Sequence, residues 1–398
     1  MSNISGAPKK KGFIGAGFVL GCVWFATHVG GGFATGNQAV QYWVQYGWTC
    51  VFLPVISMTL LAWVMRTAVI MARTNNLYTY KELFEHLWQP YPKLELTFEL
   101  FYYIIMLAAV GSAVAGAASL FVAQGMSYAT GVIIIGCLLM VLTIFGAKLV
   151  SRASVFFSVG ILLSLGAIYV VGMQARWDVI VQQTKDAILP LGPWAPLWAA
   201  LIYASFQAVS IPAVVACSQH MNSKSRINSF FVWGALLNGV ALCLSAVLVF
   251  GWYPEIIAES AARGTNLMAL PDEYITRQLG YGWIYNFYFV ALFMAFISTG
   301  VTCIFALVTR LENAIFKKAT GFFGNIIARR VLISFLAIIV SMSIASLGLS
   351  NIVKFGYGMC GYISLAFIMI PMLIIGTIKN NKFFKENPNF WDEYGKNQ

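Results

Sequence analysis

The sequence predicts an all-α integral membrane protein with ten transmembrane helices. Three observations predict it. Apolar types make up 60% of the 398 residues and charged types only 10%, against roughly 25% charged in soluble domains. The apolar residues fall in runs of about 18 or more with few charges, long enough to cross a bilayer as helix. The basic residues concentrate at alternate ends of these runs, as an oriented membrane protein requires.

The spans fall at 13–35, 48–72, 95–123, 127–147, 151–174, 194–219, 227–252, 282–310, 329–348 and 353–378. Interrupting residues stand between most of them, such as Pro90 and Pro92, Pro254, and Asn380 with Asn381. Lys9, Lys10 and Lys11 precede the first run as in a signal peptide. No small-residue cleavage site follows a short apolar core, so the run is expected to remain as a span. Ten spans with the N-terminus inside return the C-terminus inside. Outer segments then carry only Arg176, Lys185, Arg263, Arg277 and Lys354, leaving twenty of the 25 Lys and Arg inside. That bias supports the span count and the orientation together.

Residues 1–12 and 379–398 are thus expected as cytoplasmic tails, with five spans over 13–174 and five over 194–378. Residues 74–93 mix aromatics with Lys81, Glu82 and Glu85 and predict a short amphipathic interfacial helix. Residues 253–281 form the longest outer loop, either a cover over an external vestibule or a plain connector. A trace of internal repeat aligns Phe101, Tyr102, Ala109 and Ser112 of span three with Phe287, Tyr288, Ala295 and Ser298 of span eight.

Composition also excludes several functions. The net charge of +11 is scattered through short loops and forms no nucleic-acid-binding face. The seven cysteines lie at no metal or redox spacing and read as small buried apolar residues. No carboxylate falls at mid-depth in a span, and no catalytic triad, metal cluster or phosphate loop is present. The sequence therefore predicts no enzyme and no cofactor.

The chemistry is expected in spans one, six and eight. Span one holds Gly30-Gly31-Gly32, and each glycine costs a helix about 1 kcal/mol relative to alanine. Such a run favours an unwound stretch, which exposes carbonyls to a cation and free amides to an anion. The competing reading is close packing through Gly32-x-x-x-Gly36. His28 is the only histidine inside a span and a proton-coupling candidate. It could equally be a neutral, hydrogen-bonded packing residue. Span six carries Tyr203, Ser205, Gln207, Ser210 and Pro212, which predict either a second break or a kinked continuous helix. Span eight offers the hydroxyls of Ser298, Thr299 and Thr302, either as ligands to a small hard cation or bonded back to their own helix.

The string Val29-Gly30-Gly31-Gly32-Phe33-Ala34-Thr35-Gly36, followed by Asn37-Gln38 and Tyr42-Trp43, resembles the motif VGAGFATG of the YkvI-like family of bacterial membrane proteins. Gly31 departs from the family's usual alanine. That family looks like part of the amino acid–polyamine–organocation group, whose members share the LeuT fold. The resemblance implies a 5+5 inverted repeat with helices one and six broken, in a bacterial inner (cytoplasmic) membrane. It implies a sodium site between spans one and eight, which falls on Ala26, Val29, Ala295, Ser298 and Thr299. It places a small solute against Gly30, Gly31, Gly32, Phe33, Ser205, Phe206 and Gln207. The expectation is a sodium-coupled symporter of a small amine- or carboxylate-bearing solute, working by alternating access. Two alternatives stand beside it: a proton-coupled or uncoupled exchanger using His28, and a non-transporting membrane sensor or structural component.

Overall fold

The computed structural model describes residues 15–314 and 325–394. The expected tail 1–12 lies outside them, as do Lys317 and Lys318. The described chain is mostly helical, its longer and shorter α-helices being α1 (Gly15–His28), α2 (Gly31–Ala34), α3 (Asn37–Tyr42), α4 (Leu53–Thr74), α5 (Tyr80–Leu87), α6 (Leu96–Val122), α7 (Tyr128–Val141), α8 (Ala147–Ala175), α9 (Trp177–Asp186), α10 (Trp194–Phe206), α11 (Ile211–Ala216), α12 (Lys224–Arg263), α13 (Pro271–Gln278), α14 (Gly282–Ala314), α15 (Ile326–Ala345), α16 (Leu349–Glu386) and α17 (Phe390–Tyr394), with short 3-10 turns between some of them. By length and composition, eight helices among the described residues can cross a membrane, or nine if Val159–Ala175 and Trp177–Asp186, bent by 71°, count as one span. Gly15–His28 is a shorter apolar helix, outside that count. The protein is a multi-pass helical membrane protein.

Local chemistry sets the element ends. The expected interfacial helix is α5, closed by a capping box: the Thr79 side chain takes the Glu82 amide while Glu82 reaches back to the Thr79 amide. Asn325 Oδ1 accepts the first amides of α15. Span seven does not stop at residue 252. It runs as α12 to Arg263 with Pro254 inside it, and ends at Gly264 in the left-handed region. A proline removes one helix bond, and a long apolar helix absorbs that loss. The expected outer loop is thus mostly helix. Asn380 and Asn381 likewise do not break α16. Asn380 Nδ2 donates to Thr67 O at 3.0 Å and ties the two helices.

Small residues let the first span pack. A Cβ on Gly17 would lie 2.6 Å from Phe230 N, and one on Gly21 3.2 Å from Gly234 N. Helix α1 therefore crosses α12 at backbone distance, the usual solution where lipid supplies no hydrophobic drive between helices. Phe296 of α14 sits between two other glycines. A Cβ on Gly31 would meet its Cδ1 at 2.5 Å, and one on Gly116 its Cζ at 2.2 Å.

The ends of the bundle can be told apart. Gly15, Arg66, Lys224 and Asn380 share one end, called here the near end. Helices α2, α3 and α13 lie toward the far end.

Candidate functional site

Span one is broken, and the break opens a specific set of carbonyls. In an unbroken helix the amides of Gly30, Gly31 and Phe33 would take the carbonyls of Ala26, Thr27 and Val29. Here Gly30 N donates to His28 O at 3.1 Å, and Phe33 N to Gly30 O at 3.1 Å. Gly31 N donates to Thr299 Oγ1 of α14 at 3.3 Å. The carbonyls of Ala26, Thr27 and Val29 thereby lose their helix partners. The Gly32-x-x-x-Gly36 packing face does not form, because Gly36 has φ 74° and ends the short turn α2.

A cavity of about 350 Å³ begins at this break and runs toward the near end. All five residues expected for the ion line it: Ala26, Val29, Ala295, Ser298 and Thr299. Gly30 joins them. Most hydroxyls in this bundle bond back to their own helix, as Thr27 does to Trp24 O and Ser119 to Ala115 O. Thr299 instead accepts from the broken span, and Ser298 makes no hydrogen bond among the described residues. The cavity also holds Thr302 and Ser210, whose hydroxyl is buried without a partner among the described residues.

The other residues expected to meet a solute fall elsewhere. Gly31, Gly32, Phe33, Ser205, Phe206 and Gln207 do not line the cavity. Ser205 bonds back to Leu201 O at 2.7 Å. Phe206 packs its ring against Tyr42, Tyr203 and Tyr357. Residues of the next turn, Val209, Ser210, Pro212 and Ala213, face the cavity instead.

The reason lies in how span six passes its proline. The expected second break is a tightened turn at Gln207–Ser210, and the span continues from Trp194 to Ala216. Pro212 has no amide for Ala208 O. Ile211 N takes that carbonyl instead, one residue early, in the tighter three-residue pattern. The Ala208 carbonyl is thereby satisfied without opening the helix.

Above the cavity, toward the far end, a buried polar network joins spans one, six and seven. Asn238 Nδ2 donates to Gly234 O at 2.8 Å, so its Oδ1 faces His28 Nδ1 at 2.6 Å. His28 Nε2 lies 2.9 Å from the Tyr203 hydroxyl. That hydroxyl donates to Gln38 Oε1 at 2.9 Å and accepts from Gln207 Nε2 at 3.3 Å. His28 therefore sits in a packed interface with both nitrogens engaged. Sequence reasoning missed Asn238, although an asparagine inside an apolar span was a readable signal. Tyr203→Phe removes the hub of three hydrogen bonds and leaves buried groups unpaired. It should cost about 1–3 kcal/mol, read as a lower Tm in detergent. An unchanged Tm would mean that the network adds nothing to stability.

No known family model matches the chain. Among solved structures it is similar to a manganese transporter of Eremococcus coleocola in complex with an aromatic bis-isothiourea substituted compound, at 12% identity and a TM-score of 0.49, covering 98% of this chain and 96% of that one. It is also similar to a Na+-coupled sialic acid symporter in a substrate-bound outward-open state, at 14% identity and a TM-score of 0.47, covering 92% and 96%. Among curated proteins it is similar to YkvI of Bacillus subtilis (strain 168), an uncharacterized membrane protein, at 24% identity over 367 residues, 89% of this chain and 94% of that protein. The resemblance to the YkvI-like family carried by the first-span motif therefore extends over nearly the whole chain.

Proposed function

We propose that the protein is a sodium-coupled secondary transporter of a small amine- or carboxylate-bearing solute, working by alternating access. The observation that carries the reading is the convergence at the break. Ala26 and Val29, whose carbonyls have lost their helix partners, line one cavity with Ser298, Thr299 and Ala295. Neutral oxygens in that number suit a small hard cation, and no carboxylate is needed. The cation would bridge span one to span eight, so solute affinity would rise with ion occupancy.

In this reading the chain divides into two five-helix repeats, 13–174 and 194–378, inverted relative to each other, with both termini cytoplasmic. The near end is then the cytoplasmic end, and a cavity reaching toward it belongs to the inward-facing state. The solute would meet Gly30 first. It would meet Gly31, Gly32, Phe33, Ser205, Phe206 and Gln207 once the ring cluster around Phe206 parts.

Thermal stability of the purified protein in sodium against choline, at fixed ionic strength, tests the ion. A ligand of the folded state stabilises by mass action, about 2.7 kcal/mol at 100 times its Kd. A saturable, sodium-specific rise in Tm is expected. Equal stability in both salts would remove the sodium assignment and favour an exchanger or a protein that moves no solute.

A further inference from the structure

The one fully buried aspartate comes from outside the spans. Asp272 lies in the first turn of α13, between the spans α12 and α14, and is 0% exposed. Neither carboxyl oxygen has a hydrogen-bond partner among the described residues. Its amide donates to Thr35 O at 3.2 Å, and its Oδ1 would lie 2.4 Å from a Cβ on Gly36. The carboxyl thus rests on the bare Cα of the second interruption in span one. A glycine is required there twice over, by its φ of +74° and by this contact.

No cation faces the carboxyl among the described residues. Tyr169 of α8 and Tyr288 of α14 are the titratable groups beside it. The Tyr288 hydroxyl donates to Ala34 O at 2.7 Å, and the Tyr169 hydroxyl faces Ser245. The charges of α13 and its neighbours are engaged elsewhere. Arg277 pairs with Glu273 and bonds Tyr285 of α14. On α12, Glu255 pairs with Arg176 and accepts from Tyr274, and Glu259 pairs with Arg263. A carboxylate so buried and unpaired is strongly disfavoured against the neutral acid. Burial pushes the Asp272 carboxyl well above the usual carboxylate range.

We propose that the Asp272 carboxyl takes up a proton when α13 seats on the broken span and releases it when α13 lifts. On lifting, the carboxyl O–H bond breaks, water takes the proton, and the carboxylate is left solvated. The far-end cover of the site is thereby a proton-binding element, whether or not sodium binds at Ser298 and Thr299. The seated state binds more protons than the lifted one. Seating is therefore favoured at low pH. It weakens about tenfold per pH unit above the ordinary carboxylate pKa of about 4, until the raised pKa of the seated state is passed.

Hydrogen–deuterium exchange of residues 271–278 in the full-length protein reads the seating. The runs use choline as the added cation, from about pH 5 to about pH 9, with each rate divided by the intrinsic rate at that pH. Wild-type protection should fall about tenfold per pH unit before levelling. Asp272→Asn, which cannot ionise, should stay protected and flat. Flat wild-type protection would overturn the proposal, and that arm needs no variant to fold. An equal slope in Asp272→Asn would overturn it too. So would high-pH protection restored by adding sodium to Ser298→Ala protein, since Asp272 would then be a cation ligand.

Discussion

Sodium-specific stabilisation should vanish when Ser298 and Thr299 are both replaced by alanine, with sodium-driven solute uptake lost alongside it. The single variants divide the effect in a way a packing role would not. Ser298 makes no hydrogen bond among the described residues, so Ser298→Ala should leave stability in choline unchanged and remove most of the response to sodium. Thr299 accepts the Gly31 amide, so Thr299→Ala should lower stability in both salts by about 1 kcal/mol in addition to weakening the ion response. Thr299→Ser keeps the oxygen and should keep the response. A Ser298→Ala protein that loses stability equally in sodium and choline would make that hydroxyl structural and sink the ion site.

The break in span one was legible because triple glycine has a direct meaning: helix is costly there and backbone can approach closely. The structure divides those roles. The amide of Gly30 turns away from the helix ladder, Gly31 makes room for Phe296, and Gly36 takes the left-handed turn. The hydroxyls of span eight were visible in the sequence, but their spacing left ligand and back-bonded readings open, and only the family resemblance singled out Ser298 and Thr299. Span six misled because Pro212 signals a lost hydrogen bond but not how the loss is met. A turn tightened at Gln207–Ser210 keeps the helix intact and brings Ser210, not Ser205, to the cavity. Asp272 was invisible for a different reason. A search for carboxylates inside spans passes over one carried into the interior by a connecting helix, and only tertiary placement shows its burial. The bend between α8 and α9 was missed because an amphipathic ten-residue helix after a span looks like loop.

Arg310→Met is expected to be among the most destabilising single changes, by about 3–5 kcal/mol, read as a lower Tm in detergent. The guanidinium is stacked between the rings of Tyr80 at 3.9 Å and Tyr102 at 3.6 Å. Its Nε donates to the Tyr80 hydroxyl at 2.8 Å and lies 3.3 Å from Glu99 Oε2. Only 11% of the Arg310 side chain and 17% of that of Glu99 are exposed, so little water screens the pair. These residues join α5, α6 and α14 at the near end, and Tyr102 is also a wall of the cavity. Removing the cation leaves Glu99 with only the Tyr80 hydroxyl as partner. Neutralising both partners is often nearly neutral where removing one is not, so Arg310→Met with Glu99→Gln should recover much of the loss. No recovery would assign the effect to the two ring contacts, worth about 0.5–2 kcal/mol each, instead of to the stranded charge. Either way, Tyr102, a wall of the cavity, would lose the guanidinium stacked on its ring. Cys303, which lines the cavity, should then alkylate faster in Arg310→Met than in wild type. An unchanged rate at Cys303 would mean that the cluster stabilises the bundle without controlling access to the site.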